Sequence, residues 1–351
     1  KRIYLKSLFP HFLMPQYSPN TIYRKILTRL FRLLFEFLLK GDFMDASRFW
    51  EGQLLKELMN EIDSSNVKAI IASGPPFRNV FYASKIKKTH PKITFIADMR
   101  DPWLDGNLSS LNFSDNRKGV EKILLQKTLE NCNYFLVTDD RIKEIYSNYF
   151  DKARHKFRTI KHFYDEDESR FDPKIKTEKT IIIYSGSIVM TNRDSCLDPL
   201  LEALKSNQEY LKANKIEFHF YTQSKWLEVE TRLLGLPIHF HDPLPPRSLS
   251  KEISSKADFL LSLNPTYLKD FLLTKLIDYS TYGIPIIHIS EKGKSWEFLN
   301  EYNNGFTVRP IDLNDFFSSF QSLNRTLSGT SCPLEFSLSH QTMKLENLVI
   351  H

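Results

Sequence analysis

Thr180-Ile181-Ile182-Ile183-Tyr184-Ser185-Gly186-Ser187 is a run of β-branched and aromatic residues that stops at a glycine turn. Near-continuous apolar runs bounded by turn residues suit strands buried on both faces. Six more lie along the chain: Ala69-Ile70-Ile71-Ala72, Ile93-Thr94-Phe95-Ile96-Ala97 and Tyr134-Phe135-Leu136-Val137, then Phe218-His219-Phe220-Tyr221, Phe259-Leu260-Leu261-Ser262-Leu263 and Pro285-Ile286-Ile287-His288. Helix-like segments separate them, and that alternation implies parallel sheets flanked by helices. A polar stretch from Asp165-Glu166-Asp167 to Thr177-Glu178-Lys179 interrupts the series and is the best linker candidate. The expected fold class is α/β, with two Rossmann-like, doubly wound parallel-sheet domains facing a cleft. The expected bounds are an N-terminal domain over 1–165, a C-terminal domain over 166–334, and a final helix over 335–351 that crosses back to the first domain.

Composition agrees with two globular domains. The chain has 351 residues, 41% hydrophobic and 26% charged. Lys plus Arg is 48 and Asp plus Glu is 42, a net charge of +6. That is too mild for a dedicated nucleic-acid binder but suits anionic ligands or an anionic membrane face. The three cysteines, Cys132, Cys196 and Cys332, fit no disulfide framework or metal-ligand spacing, so a reducing compartment is expected. No Gly-x-Gly-x-x-Gly follows a strand and no Gly-Lys-Ser/Thr occurs, which argues against dinucleotide and P-loop chemistry.

In doubly wound sheets ligands bind beyond the carboxyl ends of the strands, so those positions carry the functional reading. Ser73-Gly74-Pro75-Pro76 reads as a turn with free backbone amides. Asp98-Met99-Arg100-Asp101-Pro102-Trp103 places three charges directly after a buried strand, which is costly unless they are paired or used. The alternative is that Asp98 or Asp101 caps the next helix and pairs with Arg100. Asp139 is either a helix cap or a ligand contact. Gly186-Ser187 with the nearby Arg193 forms a reasonable diphosphate cradle. Lys275, near a helix start in Thr274-Lys275-Leu276-Ile277-Asp278-Tyr279, is placed to meet phosphate, and Asp278 one turn on can accept from ribose hydroxyls. The alternative there is an intrahelical Lys275–Asp278 pair.

Ser73-Gly74-Pro75-Pro76, Asp98 to Trp103, and Thr274 to Pro285 resemble, in this order, bacterial GT-B glycosyltransferases of the family 4 (group 1) type. His162-Phe163-Tyr164-Asp165 is similar to the segment that opens the family's interdomain linker, and Asn303-Asn304-Gly305-Phe306 to its Asn-x-Gly turn. The resemblance implies a retaining, metal-independent transfer of a sugar from a nucleoside-diphosphate sugar, with no cofactor. It implies that Asp278 holds the ribose, that Asp270 lies near the donor sugar, and that Gly186, Ser187, Arg193, Thr274 and Lys275 complete the donor site. Asp98, Arg100 and Asp101 would act on the sugar and acceptor, with Ser73, Gly74 and Asp139 on the acceptor side. The family's first strand–glycine-loop unit is not visible over Lys1 to Gln16, so a missing first βα unit is expected, divergence being the alternative. A non-catalytic GT-B scaffold that binds a nucleotide sugar or a partner enzyme is the second functional reading.

Two motifs are set aside. Asp165-Glu166-Asp167 follows no strand and reads as solvated charge. His239 and His241 share one face of a strand, but no third ligand is evident, so no metal site is expected. Residues 23–40 form an apolar helix with a stripe of Lys25, Arg29, Arg32, Glu36 and Lys40. Such a helix either packs on its own sheet or lies in a membrane interface. The expectation is a cytoplasmic enzyme, peripheral on the inner face of the cell membrane, that transfers sugar to a glycan or lipid-linked acceptor for bacterial surface polysaccharide or glycoconjugate synthesis.

Overall fold

A computed structural model describes residues 2–5, 22–38, 46–104, 115–166, 178–188, 196–302, 304–322 and 332–350. The chain forms two compact units. Unit 1 is Lys1–Lys161 with Met343–His351, and unit 2 is His162–Thr342.

Unit 1 contains helices α1 (Ile22–Leu38) and α2 (Glu51–Ser64), then β1 (Ala69–Gly74), α3 (Phe77–Ser84), β2 (Thr94–Met99), α4 (Asp115–Asn131), β3 (Tyr134–Val137), α5 (Asp140–Tyr149) and β4 (Phe157–Thr159). The four strands pair in the order β1-β2-β3-β4, all parallel. Phe95, Ile96 and Ala97 of β2 are all buried, which is why the run carries no polar alternation. Phe135 meets Phe157 and Tyr146 edge-on at 5.3 and 5.6 Å between ring centroids, filling the end of the sheet.

Unit 2 contains β5 (Thr180–Ser185), α6 (Asp198–Ser206), α7 (Gln208–Ala213), β6 (Ile216–Tyr221), α8 (Lys225–Leu233), β7 (Ile238–His241), α9 (Pro246–Lys256), β8 (Phe259–Leu263), α10 (Thr274–Ser280), β9 (Ile286–Ile289), α11 (Lys294–Glu301), β10 (Gly305–Val308) and α12 (Leu313–Ser318). The sheet order is β10-β9-β8-β5-β6-β7, again all parallel. All six residues of β5 are buried. Ile182 and Tyr184 point into one core and Ile181 and Ile183 into the other, so the strand separates two helical layers. The chain winds outward from β5 through β6 to β7, then returns to β8 and winds the other way, so the order reverses between β5 and β8.

Helix α13 (Leu338–Ile350) ends the chain. Ser337 caps it, its Oγ accepting from the His340 amide at 3.2 Å. Leu345, Leu348 and Val349 pack on Ile96, Leu136 and Ile160 of unit 1. One alternative is set aside and one expectation needs correction. Asp98 lies within β2 and Asp101 is fourteen residues ahead of α4 (Asp115–Asn131), so neither caps that helix. Gly305 is not in a turn but opens β10, where a Cβ would lie 2.0 Å from the Ile286 carbonyl oxygen, so the close strand approach requires glycine.

Candidate functional site

The order reversal between β5 and β8 places two loop ends side by side at the carboxyl edge of the unit 2 sheet. Gly186 follows β5 with φ of +125°, a conformation that side chains rarely adopt. Lys275 is the second residue of α10, the helix that follows β8. Its Nζ sits 3.9 Å from the centroid of the Tyr184 ring and 6.0 Å from that of Tyr279. A Cβ on residue 186 would lie 2.9 Å from the same Nζ. Tyr184 Oη donates to the Ser187 carbonyl at 3.1 Å, and the Ser185 amide donates to Tyr279 Oη at 3.1 Å, so both rings fasten the turn they hold the lysine against.

Lys275 makes no ion pair or hydrogen bond among the described residues. Asp278 is exposed and does not pair with it, so the intrahelical pair considered from the sequence does not form. Burial lowers the Lys275 ammonium to about 7. Burying an ammonium is costly, the Tyr184 ring face offsets only part of that cost, and a bound anion would favour the charged form. Thr274, which precedes Lys275, and Ser187, which follows Gly186, are both exposed. Asp270 is exposed, four residues ahead of the helix rather than on it. Arg193 lies outside the described residues.

Unit 1 gathers a second group. Ser73 is the register partner of Asp98 across β1 and β2, and its Oγ donates to Asp98 Oδ2 at 2.7 Å. Arg100 Nη1 lies 3.5 Å from Asp98 Oδ1, and its amide donates to the Gly74 carbonyl at 2.9 Å. The expected set of free amides after β1 is corrected by chemistry, because Pro75 and Pro76 carry no N–H. Asp139 is the N-cap of α5, accepting from the Arg141 amide at 2.6 Å. Asp101 is exposed. Trp103 serves the core. It is fully buried, stacks on Phe77 at 5.3 Å, and donates through Nε1 to Glu121, which also pairs with Arg78 at 3.2 Å.

A third group escaped the sequence. Glu217 and His219 of β6 face His239 and His241 of β7, because strand register sets His219 opposite His239. Residues twenty apart give no spacing signal, and only the strand pairing shows them as neighbours.

Two parallel sheets, the second with a central order reversal, are also found in solved glycosyltransferases. The lipopolysaccharide outer core galactosyltransferase WaaB aligns with a TM-score of 0.55 and 14% identity over 86% of this chain and 80% of WaaB. The chain has the GT-B fold. A glycosyltransferase from Rickettsia africae aligns with a TM-score of 0.58 and 14% identity, over 86% of this chain and 81% of that one. A TarM mutant from S. aureus, in complex with UDP, fondaparinux and α-GlcNAc-glycerol, aligns at 0.59 and 16% identity over 84% of this chain and 58% of TarM. This chain therefore spans under two thirds of TarM. No family model matches the sequence, and no curated protein matches it. Within the GT-B fold, the Gly186–Lys275 pair occupies the reversal where open α/β sheets bind ligands.

Proposed function

We propose that this GT-B protein is a retaining, metal-independent glycosyltransferase that takes a sugar, of hexose type, from a nucleoside-diphosphate sugar. The observation that carries the reading is the Lys275 ammonium, held against the Gly186 turn at the order reversal with no counter-ion among the described residues. A diphosphate seated there restores the lysine's charge, and the lysine in turn stabilises the charge that develops as the sugar leaves. Arg193 is proposed to add to that charge, Asp278 to hold the ribose, and Thr274 and Ser187 to line the same site. The reaction needs no further cofactor. Asp98 and Arg100, fixed by Ser73 and by the Gly74 carbonyl, are proposed to serve the acceptor in unit 1. The test is turnover of UDP-, GDP- and dTDP-sugars by the full chain with oligosaccharide and lipid-linked acceptors. Nucleotide release that is lost in Lys275→Met supports the reading. Tight binding without release favours the non-catalytic scaffold, which the exposed position of Asp270 away from α10 would then explain.

Helix α1 suggests where the acceptor is met. Ile22, Tyr23, Ile26, Leu30, Leu33, Leu34 and Phe37 are all exposed, Phe37 by 83%. At about 100° per residue they share an arc of about 120°, and the exposed Lys25 and Arg29 flank it. No helix among the described residues is long and apolar enough to cross a membrane. We propose that α1 lies in the interface of an anionic membrane on the cytoplasmic side, near a glycan or lipid-linked acceptor of surface polysaccharide or glycoconjugate synthesis. Each cation near such a surface contributes about 1 kcal/mol, so attachment should be salt-sensitive. Co-sedimentation with phosphatidylglycerol vesicles that weakens at high salt and in Leu30→Asp/Phe37→Asp supports this. No binding at low salt overturns it.

A further inference from the structure

The face shared by β6 and β7 in unit 2 carries three side chains whose free donor atoms converge. Glu217 and His219 alternate along β6 and so point the same way, and His239 sits opposite His219 in register. Glu217 Oε2 lies 3.6 Å from His219 Nε2 and 3.7 Å from His239 Nε2. The three residues offer one ligand atom each, all within 4.8 Å of one another. Tetrahedral zinc, with bonds of about 2.0–2.2 Å, sets its ligand atoms about 3.4 Å apart. The two edges at Glu217 therefore need only a few tenths of an ångström of closure, and the edge between the two imidazole nitrogens at most about 1.4 Å.

The remaining atoms of these side chains are already engaged, in ways that aim the free ones inward. Lys179 Nζ holds Glu217 Oε1 at 2.8 Å, leaving Oε2 for the cluster. His241 Nε2 lies 3.0 Å from His219 Nδ1, leaving Nε2 of His219 as the free nitrogen. Tyr221 stacks on His241 at 4.6 Å and donates to Glu252, so the orienting histidine is itself fixed. Partners of this kind, behind a ligand rather than on the metal, are what hold imidazoles and carboxylates in coordinating geometry. His219 Nε2 is buried with no hydrogen-bond partner. That nitrogen faces Glu217 Oε2 across 3.6 Å, too far for a hydrogen bond, and a cation between them would engage both. His239 is half exposed and gives the ion a route from solvent.

We propose that Glu217, His219 and His239 form a binding site for one divalent transition-metal ion, Zn2+ by donor set, with a water in the fourth position and with His241 and Lys179 as positioning residues. Two imidazole nitrogens and one carboxylate oxygen suit zinc and exclude a hard-ion site of the calcium or magnesium kind. The site lies near the amino ends of β6 and β7, whereas Gly186 and Lys275 lie at carboxyl ends, so the ion is separate from the proposed donor chemistry. It would tie the edge strand β7 to β6.

The test uses the full-length, tag-free chain, stripped with chelator and titrated with Zn2+ alone and with Co2+ alone. One equivalent of Zn2+ should bind saturably, and Co2+ should give the visible ligand-field bands of a four-coordinate ion. Glu217→Gln and His239→Ala, the first isosteric and the second at a half-exposed position, should each weaken Zn2+ about 100-fold or more. His241→Phe should weaken it about tenfold, as loss of an orienting partner does. Nucleoside-diphosphate binding, measured on the same preparations, should be unchanged in all three variants, which shows them folded. The proposal is overturned if the wild-type chain takes up no stoichiometric Zn2+, or if the Glu217 and His239 variants take up as much as wild type.

Discussion

Two strand ends of this molecule solve the problem of charge after a buried strand in opposite ways. At the end of β2, Asp98 receives Ser73 Oγ and faces Arg100, and the Arg100 backbone is tied to Gly74. The group is internally satisfied and gains little from an added ion. Beyond β5, the cation is Lys275, its surroundings are Tyr184, Tyr279 and a glycine turn, and no described carboxylate answers it. A satisfied cluster holds a shape, whereas a desolvated lone cation is a site waiting for an anion. Under the proposed function, the difference would separate a positioning role in unit 1 from a binding role in unit 2.

The largest expected effect on folding comes from the charge that unit 1 buries most deeply. Arg78→Ala removes the cation paired with the buried Glu121 carboxylate, and should cost about 3–5 kcal/mol in denaturant unfolding. A loss under about 1 kcal/mol would mean the pair is not desolvated as described. Next is Lys275→Met, which keeps the apolar stem and removes the charge. It should weaken nucleoside-diphosphate binding about 100-fold, the ~2–3 kcal/mol expected of a charge-assisted contact, while raising the stability of the free chain at neutral pH, because methionine removes a charge whose burial opposes folding. Gly186→Ala places a Cβ 2.9 Å from Lys275 Nζ on a backbone at φ +125°. It should weaken the same binding about tenfold and destabilise by about 1 kcal/mol, the ordinary cost of a left-handed alanine. Asp98→Asn is expected to have the smallest effect, under about 1 kcal/mol on stability and none on nucleotide affinity. A large loss of affinity in Asp98→Asn would break the contrast between the two strand ends.

The same contrast explains how much of the molecule was legible in its sequence. Strands buried on both faces announced themselves as continuous apolar runs, and β5, β8 and β2 are of this kind. The strands that sequence reasoning did not mark are β4 and β10, with β7 considered only through its two histidines, and all three are sheet edges. An edge strand has one neighbour and a partly exposed face, so Phe157-Arg158-Thr159 and Ile238-His239-Phe240-His241 carry mixed polarity and give no such run. The Gly186 turn and Lys275 were legible as pieces, because each directly follows or opens an element. Their contact was not, since residues 89 apart meet only through the β5–β8 pairing. For the same reason the partners of His239 stayed hidden until β6 and β7 were set side by side. The sequence assigned Trp103 no role of its own, because the buried carboxylate that its indole serves, Glu121, lies 18 residues on.

Protonation gives the most direct test of the central claim, that the Lys275 ammonium binds the diphosphate. Its folded value, about 7, lies below the ordinary lysine value, so the free protein is partly deprotonated at pH 7.5. A bound diphosphate favours the charged form and raises that value, so binding must take up a proton. Affinity should be flat below about pH 7 and fall as pH rises above it. The folded chain without ligand should gain stability as pH rises from about 7 toward the unfolded lysine value near 10.4, because the unfolded lysine stays charged over that window while the buried one does not. Calorimetry with UDP, GDP and dTDP at pH 7.5, in buffers of different ionisation enthalpy, reads the proton count directly. The account predicts net uptake of a fraction of a proton with the nucleotide that binds, and its disappearance together with about 100-fold in affinity in Lys275→Met. Binding with no proton uptake, at the same affinity in both proteins, would contradict it.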